Sequence, residues 1–285
     1  LRQALLLHRV LAGAAGMTVG EVLEMATLGG AGCLGRTDVG AVEPGRACDL
    51  AVFDLAAIGY DGADDPVAAL LLCHPEPARA VVEEIKSMGG EALPHFGDVA
   101  VWDDAQSLIQ TAIDGFGDLH ILLNNAGFCR DKMIFNMTEE EWDTVISTNL
   151  TGTFLCSQYA ARVMAKRGGG TIVNIASISG SRAGTGRTVY GTTKAGIIHL
   201  TKQMAIEWAP LGIRVNAIAP GYMATRNTQP IQDDPVRNAQ ILARIPAGRW
   251  GTPEDLQGAV VFLASAASDY MHGYTIAVDG GWLAR

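Results

Sequence analysis

The sequence predicts an α/β protein built on a doubly wound parallel sheet. From about residue 78 onward, strand-like and helix-like stretches alternate in a regular βα rhythm, the order expected of parallel strands joined by crossover helices. The strand candidates are apolar throughout, as suits strands covered on both faces. The chain also holds 34 glycines and only 6% aromatic residues, a composition of tight turns and closely packed helices. With 285 residues there is room for one large domain plus an appended segment, and for a sizeable core.

The elements follow in order. "PARAVVEEIKSMGG" reads as a helix ending at Gly89-Gly90, and "EALPHFGDV" as a short strand. "WDDAQSLIQTAIDGFG" is a helix with Asp103 and Asp104 at its positive end and glycine at its close. "LHILLNNAG" is an apolar strand running into a polar turn. The stretch "TEEEWDTVISTNLTGTFLCSQYAARVMAKRGGG" predicts two helices sharing an interrupted segment, followed by the strand "TIVNIAS". A long helix "TVYGTTKAGIIHLTKQMAIEWAPLG", a strand "IRVNAIAPG", a capped helix "TPEDLQGAVVFLASAAS" and a last strand "GYTIAVDGG" complete the chain.

Residues 1–76 differ in kind. "TVGEVLEMATLGG" is a helix with Thr18 as N-cap, Glu21 three residues on, and Gly29-Gly30 at its end. "GRTDVGAVEPGRACDLAVFDL" is turn-rich and leads into a strand. Gly30 to Gly35 form a formal G-x-G-x-x-G, but a phosphate loop must follow a strand and open a helix. This run follows a helix and precedes turns, so it reads as a helix end.

Composition excludes several classes. The net charge of −9 leaves no basic surplus for a nucleic-acid partner. Five scattered cysteines without a C-x-x-C indicate neither a disulfide framework nor a zinc ribbon, and a reducing cytoplasm is expected. The six histidines show no metal-site spacing, so no metal is expected. Apolar runs such as "VAALLLC" fall far short of the ~20 residues that span a bilayer, and no membrane partner is expected.

The chemistry concentrates in "VYGTTKAG". Tyr190 and Lys194 are four apart, on one face of a helix. A free phenol ionises near ~10, so proton transfer near neutrality needs a nearby cation, which Lys194 supplies. Ser177 stands at the end of "TIVNIAS", where a doubly wound sheet projects side chains into its crevice. "NNAG" (Asn124 to Gly127) ends another strand at the same edge, and Asn149 lies in "STNLTG".

Taken jointly and in order, "GDV", "NNAG", "NLTGTF", "IVNIAS", "YGTTK" and "APG" make residues 78–285 closely similar to the short-chain dehydrogenases/reductases. The resemblance implies a Rossmann-like fold and an NAD- or NADP-dependent oxidoreductase that interconverts a ketone and a secondary alcohol. Tyr190 would be the general acid/base, and Lys194 would lower its pKa and hold the nicotinamide ribose. Ser177 would polarise the substrate carbonyl, and Asn149 would anchor a relay water. Asp98 and Val99 would contact the adenine, Asn125, Ala126 and Gly127 would line the cofactor cleft, and Pro220, Gly221 and Met223 would border the nicotinamide. The C-terminal part resembles dehydrogenases of 2-keto-3-deoxygluconate and 2-deoxygluconate, in which it covers the substrate and supports a homotetramer. The middle, "NNAGFCRDKMIFNMTEEEWDTVISTNLTGTF", resembles 3-oxoacyl reductases.

The family's opening T-G-x-x-x-G-x-G occurs nowhere in the sequence. Residues 1–76 instead resemble the carboxyl end of amidohydrolases of the 8-oxoguanine deaminase type, through "LRQALLLHRV", "MATLGGAGCLGR", "DVGAVEPGRACDLAVFDL" and "DPVAALLLC". Two parts are therefore expected, a 1–76 amidohydrolase-tail-like segment and a 77–285 reductase domain. "DLAVFDL" and "VAALLLC" are the candidates for the first two strands, an atypical replacement for the first βαβ unit. Loss of the glycine loop removes the main pyrophosphate anchor, so impaired dinucleotide binding is expected. Two alternatives stand beside the oxidoreductase: a cofactor-free hydrolase of activated esters or lactams using the Ser177/Tyr190/Lys194 cluster, and a noncatalytic oligomer subunit.

Overall fold

Strands β1 (Leu50–Asp54), β2 (Leu70–Leu72), β3 (Pro94–His95), β4 (Ile121–Asn124), β5 (Gly170–Ile175), β6 (Ile213–Pro220) and β7 (Thr275–Val278) form one parallel sheet in the order β3-β2-β1-β4-β5-β6-β7. The structure, a computed structural model, describes residues 50–54, 70–72, 75–87, 90–225 and 228–285. The helix expected near 18–30, the Gly30–Gly35 run and the connection 55–69 lie outside the described residues. The unit that carries the sheet spans Cys48–Arg285, and its first two strands come from upstream of residue 77. They are the segments "DLAVFDL" and "VAALLLC", with Val52 opposite Leu70 on one side and opposite Asn124 on the other.

The described α-helices are α1 (Pro75–Ser87), α2 (Trp102–Phe116), α3 (Glu139–Val145), α4 (Gly152–Arg167), α5 (Thr188–Trp208), α6 (Gln229–Gln232), α7 (Pro235–Leu242) and α8 (Glu254–Ala264). The period of two along each strand sends neighbouring residues to opposite layers. Leu122, Ile172 and Val215 join Leu108 of α2 and Leu155 and Met164 of α4 in one core. Leu123, Val173 and Ile218 join Val82 and Ile85 of α1 and Leu263 of α8 in the other. Burial on both faces holds for β4, β5 and β6, whereas the edge strand β7 is only half-buried.

Local chemistry sets the boundaries. Strand β3 is two residues long rather than the nine of "EALPHFGDV", because Pro94 has no N–H to extend the ladder. Helix α2 closes at Gly117 with φ 81°, a left-handed turn that glycine adopts without strain. Helix α3 opens on a capping box in which Glu141 N–H donates to Thr138 Oγ1 and Thr138 N–H donates to Glu141 Oε2. The interruption expected between α3 and α4 is a π-helical stretch, Ile146–Thr151.

Because every strand is parallel, the carboxyl ends share one edge. Strand order reverses between β1 and β4, and an open α/β sheet has its crevice at such a point. The turns after β4, β5 and β6 all leave from this edge.

Candidate active site

The site is built on α5 and the turns that pack against it. Tyr190 and Lys194 lie one turn apart on α5, with the Lys194 ammonium 5.6 Å from the Tyr190 ring centroid. Lys194 is 3% exposed, and its Nζ donates to the carbonyl of Ile175, the last residue of β5, at 2.8 Å. Burial pushes this amine down to about 8. An ammonium has three N–H donors, and a buried one gains from further oxygen acceptors such as vicinal hydroxyls.

Ser177 is buried on the turn after β5, and Ser179 N–H donates to its Oγ at 3.1 Å. Its hydroxyl lies near enough to Tyr190 to hold the phenol's pKa down. Gly180 on the same turn packs directly on α5, where an added Cβ would lie 2.6 Å from the Lys194 carbonyl carbon. Only a glycine lets the Ser177 turn sit this close to the helix. Burial raises the Tyr190 phenol above its ordinary value, and the Ser177 hydroxyl and the Arg187 charge oppose that rise. Burial outweighs both, so the phenol's net shift is upward.

Asn149 sits fully buried in the π-helical stretch. Its Oδ1 accepts Phe128 N–H at 3.0 Å, and its Nδ2 donates to Phe128 O at 2.9 Å and to Thr193 Oγ1 at 3.2 Å. Both side-chain N–H groups are thereby used, so a water held by Asn149 has to be held through an oxygen. Gly127 lies between these groups, and a Cβ there would meet Asn149 Oδ1 at 3.0 Å and Lys194 Nζ at 3.4 Å. Asn125 is half-buried beside the buried Ala126 and Gly127 at the end of β4.

The remaining expected residues follow neighbouring strands on the same edge. Asp98, exposed, follows β3 and receives Ala100 N–H on its Oδ1, and Val99 is buried against Gly152. Pro220 ends β6, Gly221 packs on the backbone of Asp279, and Met223 is buried, with its carbonyl accepting from Thr228 Oγ1. Among the described residues, no group of three or more His, Cys, Asp or Glu could hold a metal, and no helix is long and apolar enough to cross a membrane.

Sequence reasoning missed the polar scaffold under the site. Asn124 Nδ2 donates to Ser157 Oγ and to Asn174 Oδ1, and Asn174 Nδ2 donates to Thr201 Oγ1, each within 2.9 Å. This buried ladder ties α4, β4, β5 and α5 together. Its signal in the sequence was a lone asparagine in each of two apolar strands, since an unpaired buried amide would be costly. Also missed were Thr193, and Arg187 with its Asp131 partner.

Comparison with known proteins adds the following. A family model described as Enoyl-(Acyl carrier protein) reductase matches residues 65–283, and the Amidohydrolase family matches residues 1–96. The chain is 43% identical over 247 residues to 2-dehydro-3-deoxy-D-gluconate 5-dehydrogenase of Escherichia coli, covering 86% of this chain and 96% of that one. It is 42% identical over 227 residues to a 3-oxoacyl-(acyl-carrier-protein) reductase of Staphylococcus aureus, covering 80% and 89%. Among solved structures, a gluconate 5-dehydrogenase from Burkholderia cenocepacia in complex with NADP and tartrate superposes with a TM-score of 0.77 at 32% identity, covering 83% and 96%.

Proposed function

The chain belongs to the short-chain dehydrogenase/reductase family, and on that premise we propose that it interconverts a ketone and a secondary alcohol on a sugar-acid substrate. It is an oxidoreductase of a family that works with NAD or NADP. The observation that carries the reading is the buried Lys194 ammonium beside Tyr190 and Ser177 at the sheet's crevice edge. Seven of the relatives and neighbours, including three of the most similar curated ones, bear gluconate-type names against five 3-oxoacyl reductases, which favours the sugar acid.

A bound nicotinamide would give the hydride in reduction and accept it in oxidation. Tyr190 gives its proton to the carbonyl oxygen in reduction and takes it back in oxidation. Ser177 donates a hydrogen bond to the same oxygen and polarises the bond. Lys194 holds ribose hydroxyls with the N–H groups that Ile175 leaves available. Asn149 keeps Gly127 and Phe128 in place and anchors the relay water through an oxygen. Asp98 and Val99 serve the adenine side, Asn125, Ala126 and Gly127 the cleft, and Pro220, Gly221 and Met223 the nicotinamide side.

The residues present fit the ribose end of such a cofactor, because a buried ammonium with no carboxylate partner among the described residues is served by hydroxyl oxygens. At the pyrophosphate end the sequence between β1 and β2 offers Gly59 and Gly62 with Asp61, Asp64 and Asp65, and no T-G-x-x-x-G-x-G. Binding weaker than a full glycine loop provides is the expectation. We further read the chain as two parts, 1–76 and 77–285, with the first lending two strands to the sheet of the second. A cytoplasmic homotetramer is the assembly this reading carries. Exposed Trp102, Phe135, Ile206 and Tyr270 support an oligomer, and the free Cys129 and Cys156 support a reducing compartment.

Titration with NADH and NADPH, followed by nicotinamide fluorescence, tests the reading. Saturable binding and reduction of a keto sugar acid, abolished in Tyr190→Phe, are expected. Absence of binding by either nucleotide at about millimolar concentration overturns it.

A further inference from the structure

Tyr190 is flanked by two cations. Lys194 lies one turn after it, and Arg187 lies three residues before it with the guanidinium carbon 5.9 Å from the ring centroid. Nothing in the reaction described above uses Arg187. It stands at the N-cap of α5, where its own side chain makes no capping bond.

Two sets of contacts fix its position. Along the backbone, Lys132 N–H donates to Gly186 O at 2.9 Å, and Lys132 and Arg187 form an isolated parallel bridge. At the side chain, Nη2 lies 3.2 Å from Asp131 Oδ2, and Nη1 donates to Cys129 Sγ at 3.8 Å. The loop that brings Asp131 and Cys129 here is itself anchored, since Lys132 Nζ bonds both oxygens of Glu141 at 2.8 and 2.9 Å. The Arg187 side chain is 20% exposed and that of Asp131 is 43% exposed, so the cation is the less screened of the pair.

We propose that Arg187 is a second cationic support, beside Lys194, for negative charge on the Tyr190 oxygen. This rests on Tyr190 being the proton donor. The groups facing Tyr190 are Lys194 and Arg187 from α5, Ser177 from the turn after β5, and Cys129 and Asp131 from the loop after β4. Ser177 and Arg187 favour the phenolate, whereas burial, Cys129 and Asp131 oppose it. The loop after β4 therefore carries a carboxylate that lies against the helpful cation and partly cancels its charge, while the backbone bridge to Lys132 keeps Arg187 in place without it. Removing either partner has to move Tyr190 in opposite directions.

The test is the pH profile of kcat/KM for alcohol oxidation by the holoenzyme, where Tyr190 must be deprotonated and the rate rises with pH. A second readout is the tyrosinate absorbance of the cofactor-free chain with Tyr190→Phe as blank. Arg187→Gln moves the rising limb up by about one pH unit, Asp131→Asn moves it down by less, and Arg187→Lys stays near the wild type. The absorbance titration follows the same order. Shifts in the same direction for Arg187→Gln and Asp131→Asn overturn the proposal, as does an unmoved limb in Arg187→Gln when Arg187→Lys shows the fold intact. Full turnover by Tyr190→Phe instead overturns the oxidoreductase roles, leaving the absorbance to decide the coupling.

Discussion

The Lys194 ammonium meets the Ile175 carbonyl at 2.8 Å, and among the described residues that carbonyl is the hydrogen-bond acceptor this 3% exposed cation has. A buried charge so sparsely matched is costly to the fold and useful to a ligand.

Replacing Lys194 by methionine separates these effects. Burial lowers the amine from 10.5 to about 8 in the folded chain. Below about pH 8 both states hold the proton and the native state bears the cost. Between about 8 and 10.5 only the unfolded chain binds it, so Lys194 weakens stability less as pH rises through that window. The cost at neutral pH is at most about 3 kcal/mol. Lys194→Met should raise the urea midpoint at neutral pH, with the gain shrinking towards pH 10.5, while turnover is lost. A lower midpoint at neutral pH contradicts this account.

Tyr190→Phe removes the proton donor and leaves the ring in its packing. Loss of general acid catalysis predicts a fall in kcat of about 10²–10⁴-fold with an unchanged thermal midpoint. Steady-state kinetics beside a melting curve check both halves.

Asn149→Ala strands the Phe128 N–H and carbonyl that the carboxamide now satisfies, together with one bond to Thr193. A loss of about 2–3 kcal/mol in chemical denaturation is expected, because buried backbone groups lose their partners. Activity should fall more than stability explains, since Gly127, proposed to line the cleft, packs against the Asn149 side chain.

Gly180→Ala places a Cβ 2.6 Å from the Lys194 carbonyl carbon and 2.7 Å from its oxygen. Backbone cannot yield as a flexible side chain would, so the Ser177 turn must lift from α5. The expected result is about 1–3 kcal/mol of destabilisation and a kcat loss shared with Ser177→Ala. Wild-type kcat in Gly180→Ala would show that the turn is not held by this contact.

Much of this was legible because it is local. The Tyr190–Lys194 pairing follows from a period of 3.6 within one helix, and Ser177 from its place just past an apolar strand. The interruption around Asn149 was visible in "STNLTG", but not its π-helical form. The stretch "EALPHFGDV" holds a strand of only two residues, Pro94–His95, which the sequence did not delimit.

The sequence alone determined the main strands and helices from residue 78 onward and their order, though not α6 and α7, together with the set of strand ends that share an edge and the absence of the family's glycine loop. Each depends on neighbours along the chain. Tertiary structure alone decided the register of the first two strands, that Asn124 pairs with Asn174 across 50 residues, and that Arg187 reaches Tyr190 and Asp131 together. Those outcomes depend on which buried polar groups find partners once the layers close. Partner choice between distant segments is fixed by packing, and no local period encodes it.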